Sequence, residues 1–295
     1  MFGKHRSTIA REIKRNTNAS HIYYEVHAHA SMRRRRLAAK AQYRLIDNDP
    51  QLQQYVEHLL KSTFSPEQIA GYMRRAKLIR PLCHKTIYRW VHRQWRTRRE
   101  YLRFKGRPRA PYGLAKTVWQ PHKRHISERP QIVEMRGRVG DWEVDLVHGT
   151  RDDSRHCILT LNERVTSFGI GRKLRGTNSL PVAYAIADAL RDLPVKTITC
   201  DNGIEFACHK TIEKSLGCRV YFTDTHSPQQ RGANENLNGL LREFIPKGTS
   251  LAHATQYDVT RVMTILNRRP RKRLGYDCPR NVFADLTGAS YFLVR

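Results

Sequence analysis

The sequence predicts an α/β domain, a mixed sheet flanked by helices, preceded by an all-α region. From about Val139 onward several strand-like runs come first, and strands then alternate with helical stretches. That order is typical of a mixed sheet with helices on its faces. The patterned segments before this point are helical and strongly basic.

The elements of the α/β domain follow from short apolar runs and helical periodicity. The predicted strands cover residues 142–147, 157–161, 168–174, 196–200 and 219–222. Helices are predicted at about residues 180–190 and 209–216.

Charge is the strongest compositional signal. The 295 residues include 54 Lys and Arg against 26 Asp and Glu, which gives a net charge of +28. This excess predicts a polyanionic partner: DNA, RNA or an anionic membrane surface. No apolar run approaches the roughly 20 residues that span a bilayer, and no signal peptide opens the chain. Because the basic residues are spread over several segments, nucleic acid and a cytoplasmic location are favoured over a membrane.

The basic residues concentrate near the N-terminus. Residues 1–110 carry 26 Lys/Arg and 7 Asp/Glu, a surplus of 19, whereas residues 111–295 carry 28 and 19, a surplus of 9. The N-terminal third is therefore predicted to be the main DNA-binding part. Six cysteines occur without any C-x-x-C pair, which disfavours zinc sites and a disulfide framework and indicates thiols in a reducing compartment.

Residues 65–93 predict two helices with a break between them. Ser-Pro-Glu at 65–67 has the character of a helix start. A second helix at about 84–93 turns Ile87 and Trp90 inward, and its outward basic residues are Lys85, Arg89 and Arg93. This fits a helix-turn-helix whose second helix enters the major groove. The alternative is an amphipathic helical hairpin with a solvated basic face, and the basic context favours DNA binding.

Residues 3–16 resemble another such second helix. Ile9 and Ile13 form a short apolar stripe, and the predicted DNA contacts around it are Arg11, Lys14 and Arg15. No preceding helices are present for it to pack on. We therefore expect a truncated first helix-turn-helix, or a true start upstream. The run Arg33–Arg36 is interpreted as a phosphate-contacting or solvated patch.

The expected domains follow from these patterns. Residues 1–55 are assigned to the remnant of the first helix-turn-helix with a basic helical connector, and residues 56–97 to the second helix-turn-helix. Residues 98–130 are rich in Gly, Pro and basic residues and form a basic linker that lies along DNA or is a disordered tether. The α/β domain covers residues 131–295.

Three acids share one face of the first predicted strand. Side chains alternate across a sheet, so Asp141, Glu143 and Asp145 point one way in GDWEVDLVHG. The structural alternative is a solvated face of an edge strand. Asp141 and Asp145 are about 13 Å apart at ~3.3 Å per residue, whereas paired catalytic metals lie about 3.5–4 Å apart. One of these two aspartates can therefore serve a metal centre, but not both.

Two further acids complete a possible metal site. Asp201 follows the strand TITC in a D-N-G turn, and Glu235 lies near a helix N-terminus, opposite the apolar stripe of that helix. Taken singly, a turn cap and a first-turn glutamate explain them. Together, a strand acid, an acid 56 residues later and a helix acid 34 residues beyond can converge on Mg²⁺ or Mn²⁺. Two such ions would act at a phosphodiester.

Several long strings resemble one family. GDWEVDLVHG, CDNGIEF, HSPQQRGANENLNGLLREFIPKGT and LNRRPRKRLGY are similar to the bacterial transposases of the insertion sequence 30 family. The resemblance covers roughly residues 120–285. SPEQIAGYMRR with HKTIYRWV matches the family's second DNA-binding motif, and STIAREIKRN matches the end of its first. It implies a DDE transposase with an RNase H-like, integrase-type catalytic domain.

The resemblance implies the site and its chemistry. It assigns the three catalytic and metal-binding acids to Asp145, Asp201 and Glu235, which selects Asp145 over Asp141. It implies hydrolysis at the element's ends with two Mg²⁺ ions, or Mn²⁺ in their place, and then attack of the freed 3′-hydroxyl on another phosphodiester. The partners implied are repeat-end and target DNA in the bacterial nucleoid and further copies of the chain in a homo-multimer. Arg231 and Arg242 are expected to contact DNA near Glu235.

Two departures from the family pattern bear on these expectations. The front of the first helix-turn-helix is missing, and Gln229 stands where relatives carry an aromatic residue in S-P-x-Q-R-G. The alternatives are a truncated, non-transposing DNA-binding derivative and a structure-specific nuclease without joining activity.

Overall fold

The computed structural model describes most of the chain. The described residues are 5–17, 22–39, 44–78, 81–93, 99–102, 123–150, 156–224 and 228–288. The chain divides into two compact units, Met1–His58 and Leu59–Arg295. The second unit contains both the helix pair predicted to bind DNA and the α/β domain.

The first unit is helical. It contains α1 (Arg6–Asn16) and α2 (Glu25–Ala39), and α3 (Pro50–Lys61) begins in it. The helix predicted at the N-terminus is therefore confirmed. Ile9 and Ile13 are each 47% exposed, and no residue of α1 is buried. The arginines at 33–36 lie exposed on α2.

The second unit opens with the predicted helix pair, α4 (Pro66–Arg75) and α5 (His84–Arg93). Ser65 caps α4: its hydroxyl accepts the N–H of Gln68, and the Gln68 side chain accepts the N–H of Ser65. This reciprocal capping box satisfies two amides at the helix start. Ile87 and Trp90 of α5 are fully buried. The two predicted helices and the inward face of α5 are thus confirmed.

Five strands form one mixed sheet. They are β1 (Asp141–His148), β2 (His156–Glu163), β3 (Gly169–Arg175), β4 (Thr197–Cys200) and β5 (Arg219–Phe222). The strand order is β3-β2-β1-β4-β5, with β1–β2 and β2–β3 antiparallel and β1–β4 and β4–β5 parallel. The predicted mixed sheet is confirmed. The edge-strand alternative for β1 is wrong, because β1 is the central strand.

Helices cover both faces of this sheet. They are α6 (Gln131–Glu134), α7 (Ser179–Leu190), α8 (His209–Leu216), α9 (Gly232–Leu241), α10 (Gln256–Arg268) and α11 (Pro279–Thr287). On one face Trp142 and Val144 of β1 share a core with Ile186 of α7. On the other face Val147 packs with Leu237 of α9. The acidic face of β1 therefore lies under a helical layer and not in solvent.

The end of the predicted linker adds to the sheet. His125 forms a parallel bridge with Phe222, whose N–H donates to the carbonyl of Arg124 at 2.9 Å. Residues 103–122 of that linker lie outside the described residues. Within the part of the chain that the structure describes, no helix is both long enough and apolar enough to span a bilayer.

Candidate active site

Asp145 and Asp201 come together where the parallel pairing of β1 and β4 ends, with Asp145 in the middle of β1 and Asp201 directly after β4. Glu143 of β1 pairs in register with Thr199 of β4, so the residues two positions further on lie side by side. The Nη2 atom of Arg231 lies 3.3 Å from Oδ2 of Asp145 and 3.4 Å from Oδ2 of Asp201. Two carboxylates therefore reach one cationic atom.

Hydrogen bonds fix the Asp145 carboxylate. Its Oδ1 accepts the N–H of Leu146 at 2.9 Å, and its Oδ2 accepts the side-chain amide of Asn238 at 2.8 Å. The Thr160 hydroxyl lies 2.9 Å from Oδ1 of Asn238 and donates to it, which turns the Asn238 amide nitrogen toward Asp145. Asn238 and Thr160 are thus part of the site, and the sequence prediction missed them.

A turn orients Asp201. Its Oδ1 accepts the N–H of Gly203 at 2.9 Å, as expected of an aspartate that begins a tight turn. This bond leaves Oδ2 directed at Arg231. The Asp201 side chain is 36% exposed and that of Asp145 is 19% exposed, so the pair opens to solvent on the Asp201 side.

Burial and charge act against each other at this pair. Burial raises the pKa of Asp145, Arg231 opposes that shift, and the charge of Asp201 adds to it. Burial by itself would lower the pKa of the Arg231 guanidinium, but Asp145 and Asp201 outweigh it and raise that pKa. Arg231 therefore stays protonated and reduces the repulsion between the two acids.

Two more charged side chains border the pair, and the sequence prediction missed both. Burial, with the charge of Asp201, raises the pKa of Glu205, four residues further along the chain. Lys123 is buried, which lowers its pKa, and its ammonium lies 3.4 Å from the carbonyl of Asn202. The D-N-G-I-E-F string contains the only sequence signal for Glu205, and Lys123 stood in the predicted linker.

Glu235 lies on α9 outside this pair. It is exposed, and among the residues that the structure describes no three His, Cys, Asp or Glu side chains form a metal-binding group. Arg231 directly precedes α9, whereas Glu235 and Asn238 lie three residues apart on the surface of that helix. The first and last of these contact Asp145. The structure thus brings two of the three predicted acids together and places the third on the adjoining helix face.

Asp141, the other candidate on β1, is held elsewhere. Its carboxylate is 1% exposed, pairs with Arg138 at 3.1 Å and accepts the hydroxyl of Thr197 at 2.8 Å. These partners satisfy it at the first residue of β1, four residues before Asp145. Of the two aspartates Asp141 and Asp145, it is therefore Asp145 that lies beside Asp201.

Glu143, between them, links the strand to α9. It is fully buried, forms an ion pair with Arg164 and accepts the N–H of Asn234 at 2.9 Å. The Glu143 carboxylate therefore lies beside the first turn of α9, where unsatisfied amides and the helix dipole favour a carboxylate. Glu143 thus anchors the end of the helix that carries Glu235.

The residues predicted to contact DNA fall into two groups. The exposed ones are Lys85, Arg89 and Arg93 on α5 and Arg11, Lys14 and Arg15 on α1. Arg231 differs from its prediction, since its side chain is 11% exposed and turned onto the acid pair. Arg242 donates to the carbonyl of His148 at 2.8 Å. The side chain of Gln229 lies outside the described residues.

No protein-family profile matches the chain. The catalytic core domain of the BIV integrase, a crystal structure 19% identical in sequence, covers 49% of this chain and 93% of that chain with a TM-score of 0.40.

Several curated proteins are similar over almost the whole chain. The transposase for insertion sequence element IS4351 of Bacteroides fragilis is 39% identical over 97% of this chain and 88% of its own length. Transposase InsI for IS30C of Escherichia coli is 35% identical over 94% and 75%. The transposase for IS1086 of Cupriavidus metallidurans is 34% identical over 97% and 87%. These identities and coverages show that the chain belongs to the insertion sequence 30 family of transposases.

Proposed function

We propose that this chain binds the ends of a mobile DNA element, hydrolyses a phosphodiester there and joins the freed 3′-hydroxyl to target DNA. Asp145, Asp201 and Glu235 are the proposed catalytic acids. One observation supports this above all: the carboxylates of Asp145 and Asp201 lie 3.3 and 3.4 Å from the same nitrogen of Arg231. A site that already brings two acids to one cation is suited to a metal ion.

The donor set fits a hard divalent cation. Carboxylate oxygens are the ligands that Mg²⁺ and Mn²⁺ prefer, and the Arg231 guanidinium occupies the position of a counter-ion between them. Glu235 is the proposed third ligand, three residues before Asn238 on α9. A pair of ions would activate the attacking oxygen and stabilise the leaving oxygen at the phosphodiester.

The chain's own residues position this chemistry. Asn238, itself held by Thr160, fixes Asp145, so that carboxylate need not reorganise when substrate binds. If a metal ion took the place of Arg231 between the two carboxylates, the Arg231 guanidinium would lie beside them and could form charge-assisted hydrogen bonds to a DNA phosphate. This reconciles the inward position of Arg231 with the DNA contact predicted from the sequence.

DNA recognition is assigned to the basic helices. The exposed cations of α5 are proposed to bind DNA as the second helix of a helix-turn-helix, and those of α1 as the remnant of a first. Paired element ends require more than one copy of the chain, so we propose that it acts as a homo-multimer on DNA.

The test separates cutting from binding. Asp145→Asn, Asp201→Asn and Glu235→Gln should each abolish Mg²⁺-dependent cleavage of repeat-end DNA and leave DNA affinity nearly unchanged. Asp188→Asn is the matched control, because that carboxylate is 62% exposed on α7 and pairs with the exposed Arg191. A substituted acid that still permits nicking in Mg²⁺ would exclude that residue from the site.

A second candidate is a DNA-binding derivative without catalytic activity. The exposed position of Glu235, outside the Asp145–Asp201 pair, favours it. The unsubstituted chain decides between the two: binding of repeat-end DNA without any cleavage in Mg²⁺ or Mn²⁺ would support the derivative.

A further inference from the structure

The basic run RRPRKR and the turn after it form a compact segment that we call the docking turn, residues 268–277. Most of its cations are engaged within the protein. Arg269 is 2% exposed and pairs with Glu243 at 2.8 Å, and it also donates to the hydroxyl of Thr63 at 3.1 Å. Arg273 donates to the hydroxyl of Ser167 at 2.7 Å. The run is therefore a structural element and not simply a solvated basic patch.

The docking turn contacts α4 along the length of that helix. At the first turn, Lys272 pairs with Glu67 at 3.0 Å, and the Gln68 amide donates to the carbonyl of Pro270 at 2.8 Å. At the last turn, Arg75 pairs with Asp277. Contacts at both ends of a helix fix its direction as well as its position.

Close packing at the middle of α4 supports the same contact. The ring of Tyr276 lies over Gly71, where an added Cβ would come within 2.1 Å of the ring. Tyr276 has a φ of +63°, a left-handed conformation that is costly for a residue other than glycine. Strain of this kind persists where the surrounding structure holds it and often marks a functional position. Here it places an aromatic ring on the one residue of α4 that lacks a side chain.

A cationic cleft adjoins the contact. A cleft of about 360 Å³ lies between the start of α4, the docking turn and the first turn of α9. Four cations, Arg136, Arg271, Lys272 and Arg273, line it together with a single acid, Glu67. The surplus of positive charge matches a nucleic-acid backbone passing between the helix pair and the helix that carries Glu235.

We propose that the docking turn fixes the α4–α5 pair to the catalytic domain and thereby sets which phosphodiester is cut. The helix that reads DNA and the acids that cut it are then held at a constant separation, so the cleavage position becomes a property of this contact. The inference rests on the proposed function and adds a specificity determinant to it.

The test is a charge exchange across the contact. Arg75→Asp and Asp277→Arg each place like charges together, and the double variant restores an opposite pair. Cleavage of end-labelled repeat DNA in Mg²⁺ is mapped at nucleotide resolution. We expect each single variant to reduce the correctly positioned product roughly tenfold with cuts spread to neighbouring positions, and the double variant to restore the single position. Arg74→Asp, an exposed neighbour on α4 with the same change of charge, should cut at the original position.

The outcomes separate this inference from the proposed function. If the unsubstituted chain does not cut, the proposed function fails. If it cuts, and both single variants cut at the same nucleotide and rate, the docking turn does not set the position. Tyr276→Ala provides a second variant that keeps every ion pair and should also spread the cuts. Failure of the double variant to restore the position while both singles are folded by circular dichroism would also overturn the inference.

Discussion

The buried ion pair between Glu143 and Arg164 gives the sharpest stability prediction. Glu143 is fully buried and the Arg164 side chain is 5% exposed. Arg164 also donates to the carbonyl of Val133 at 3.1 Å, and the other Glu143 oxygen accepts the N–H of Asn234. Arg164→Met would keep much of the side-chain volume and leave the buried carboxylate without its ion-pair partner.

The expected loss follows from the burial of both partners. Removing one partner of a buried pair costs about 3–5 kcal/mol, because the remaining charge is uncompensated. At about 2–4 °C per kcal/mol for a domain of this size, the melting temperature should fall by roughly 6–20 °C. Urea unfolding followed by circular dichroism measures the free energy of unfolding directly.

A surface pair provides the control. Arg191 and Asp188 are 72% and 62% exposed, so Arg191→Met should cost no more than about 1 kcal/mol. Adding Glu143→Gln to Arg164→Met removes the unpaired charge and should recover part of the loss. A loss for Arg164→Met no larger than that for Arg191→Met would refute the assignment of a buried, paired Glu143.

Three further predictions concern the acid pair and the net charge. Burial raises the pKa of Asp145 against the effect of Arg231, and Asp201 adds to the rise. The ionised form of Asp145 is thus disfavoured in the folded protein, and the free energy of unfolding should increase as pH falls through the raised pKa. Asp145→Asn is neutral at every pH and should therefore melt at a higher temperature than the unsubstituted chain in EDTA. A lower melting temperature would contradict this. Arg231→Gln should tighten Mn²⁺ binding measured by electron paramagnetic resonance, because it removes a competing cation, whereas Arg231→Lys should not; unchanged affinity in Arg231→Gln would refute the competition. DNA affinity should fall steeply with salt, as phosphate neutralisation releases counter-ions, and salt-independent binding would contradict the role assigned to the charge of +28.

Local patterns predicted all five strands and many of the helices, but not α10 or α11. Alternation predicted the apolar side of β1, and helical periodicity predicted that Ile87 and Trp90 of α5 face inward. The capped helix start at Ser65 could be predicted because its sequence signal lies within four residues. The position of β1 in the sheet could not be predicted, since strand order depends on pairings between distant segments.

The candidate site was predictable only in part. The spacing of the acids and the family strings pointed to Asp145 and Asp201, which do lie together. On β1 alone, Asp141, Glu143 and Asp145 were equivalent by alternation. They differ in the arginine with which each forms an ion pair. Glu143 pairs with Arg164 and Asp145 with Arg231, and both arginines lie outside β1 in later turns of the chain. The contact between α4 and the docking turn joins residues about 200 positions apart and has no local signal.

Metal ligation by the acid pair is the central claim, and cysteine substitution tests it most directly. A thiolate is a softer ligand than a carboxylate and binds Mg²⁺ poorly, whereas Mn²⁺ accepts it more readily. Asp145→Cys and Asp201→Cys should therefore fail to cleave repeat-end DNA in Mg²⁺ and recover cleavage in Mn²⁺, while Asp188→Cys cleaves with either metal. Cleavage in Mg²⁺ at the unsubstituted rate by either active-site variant would contradict the account.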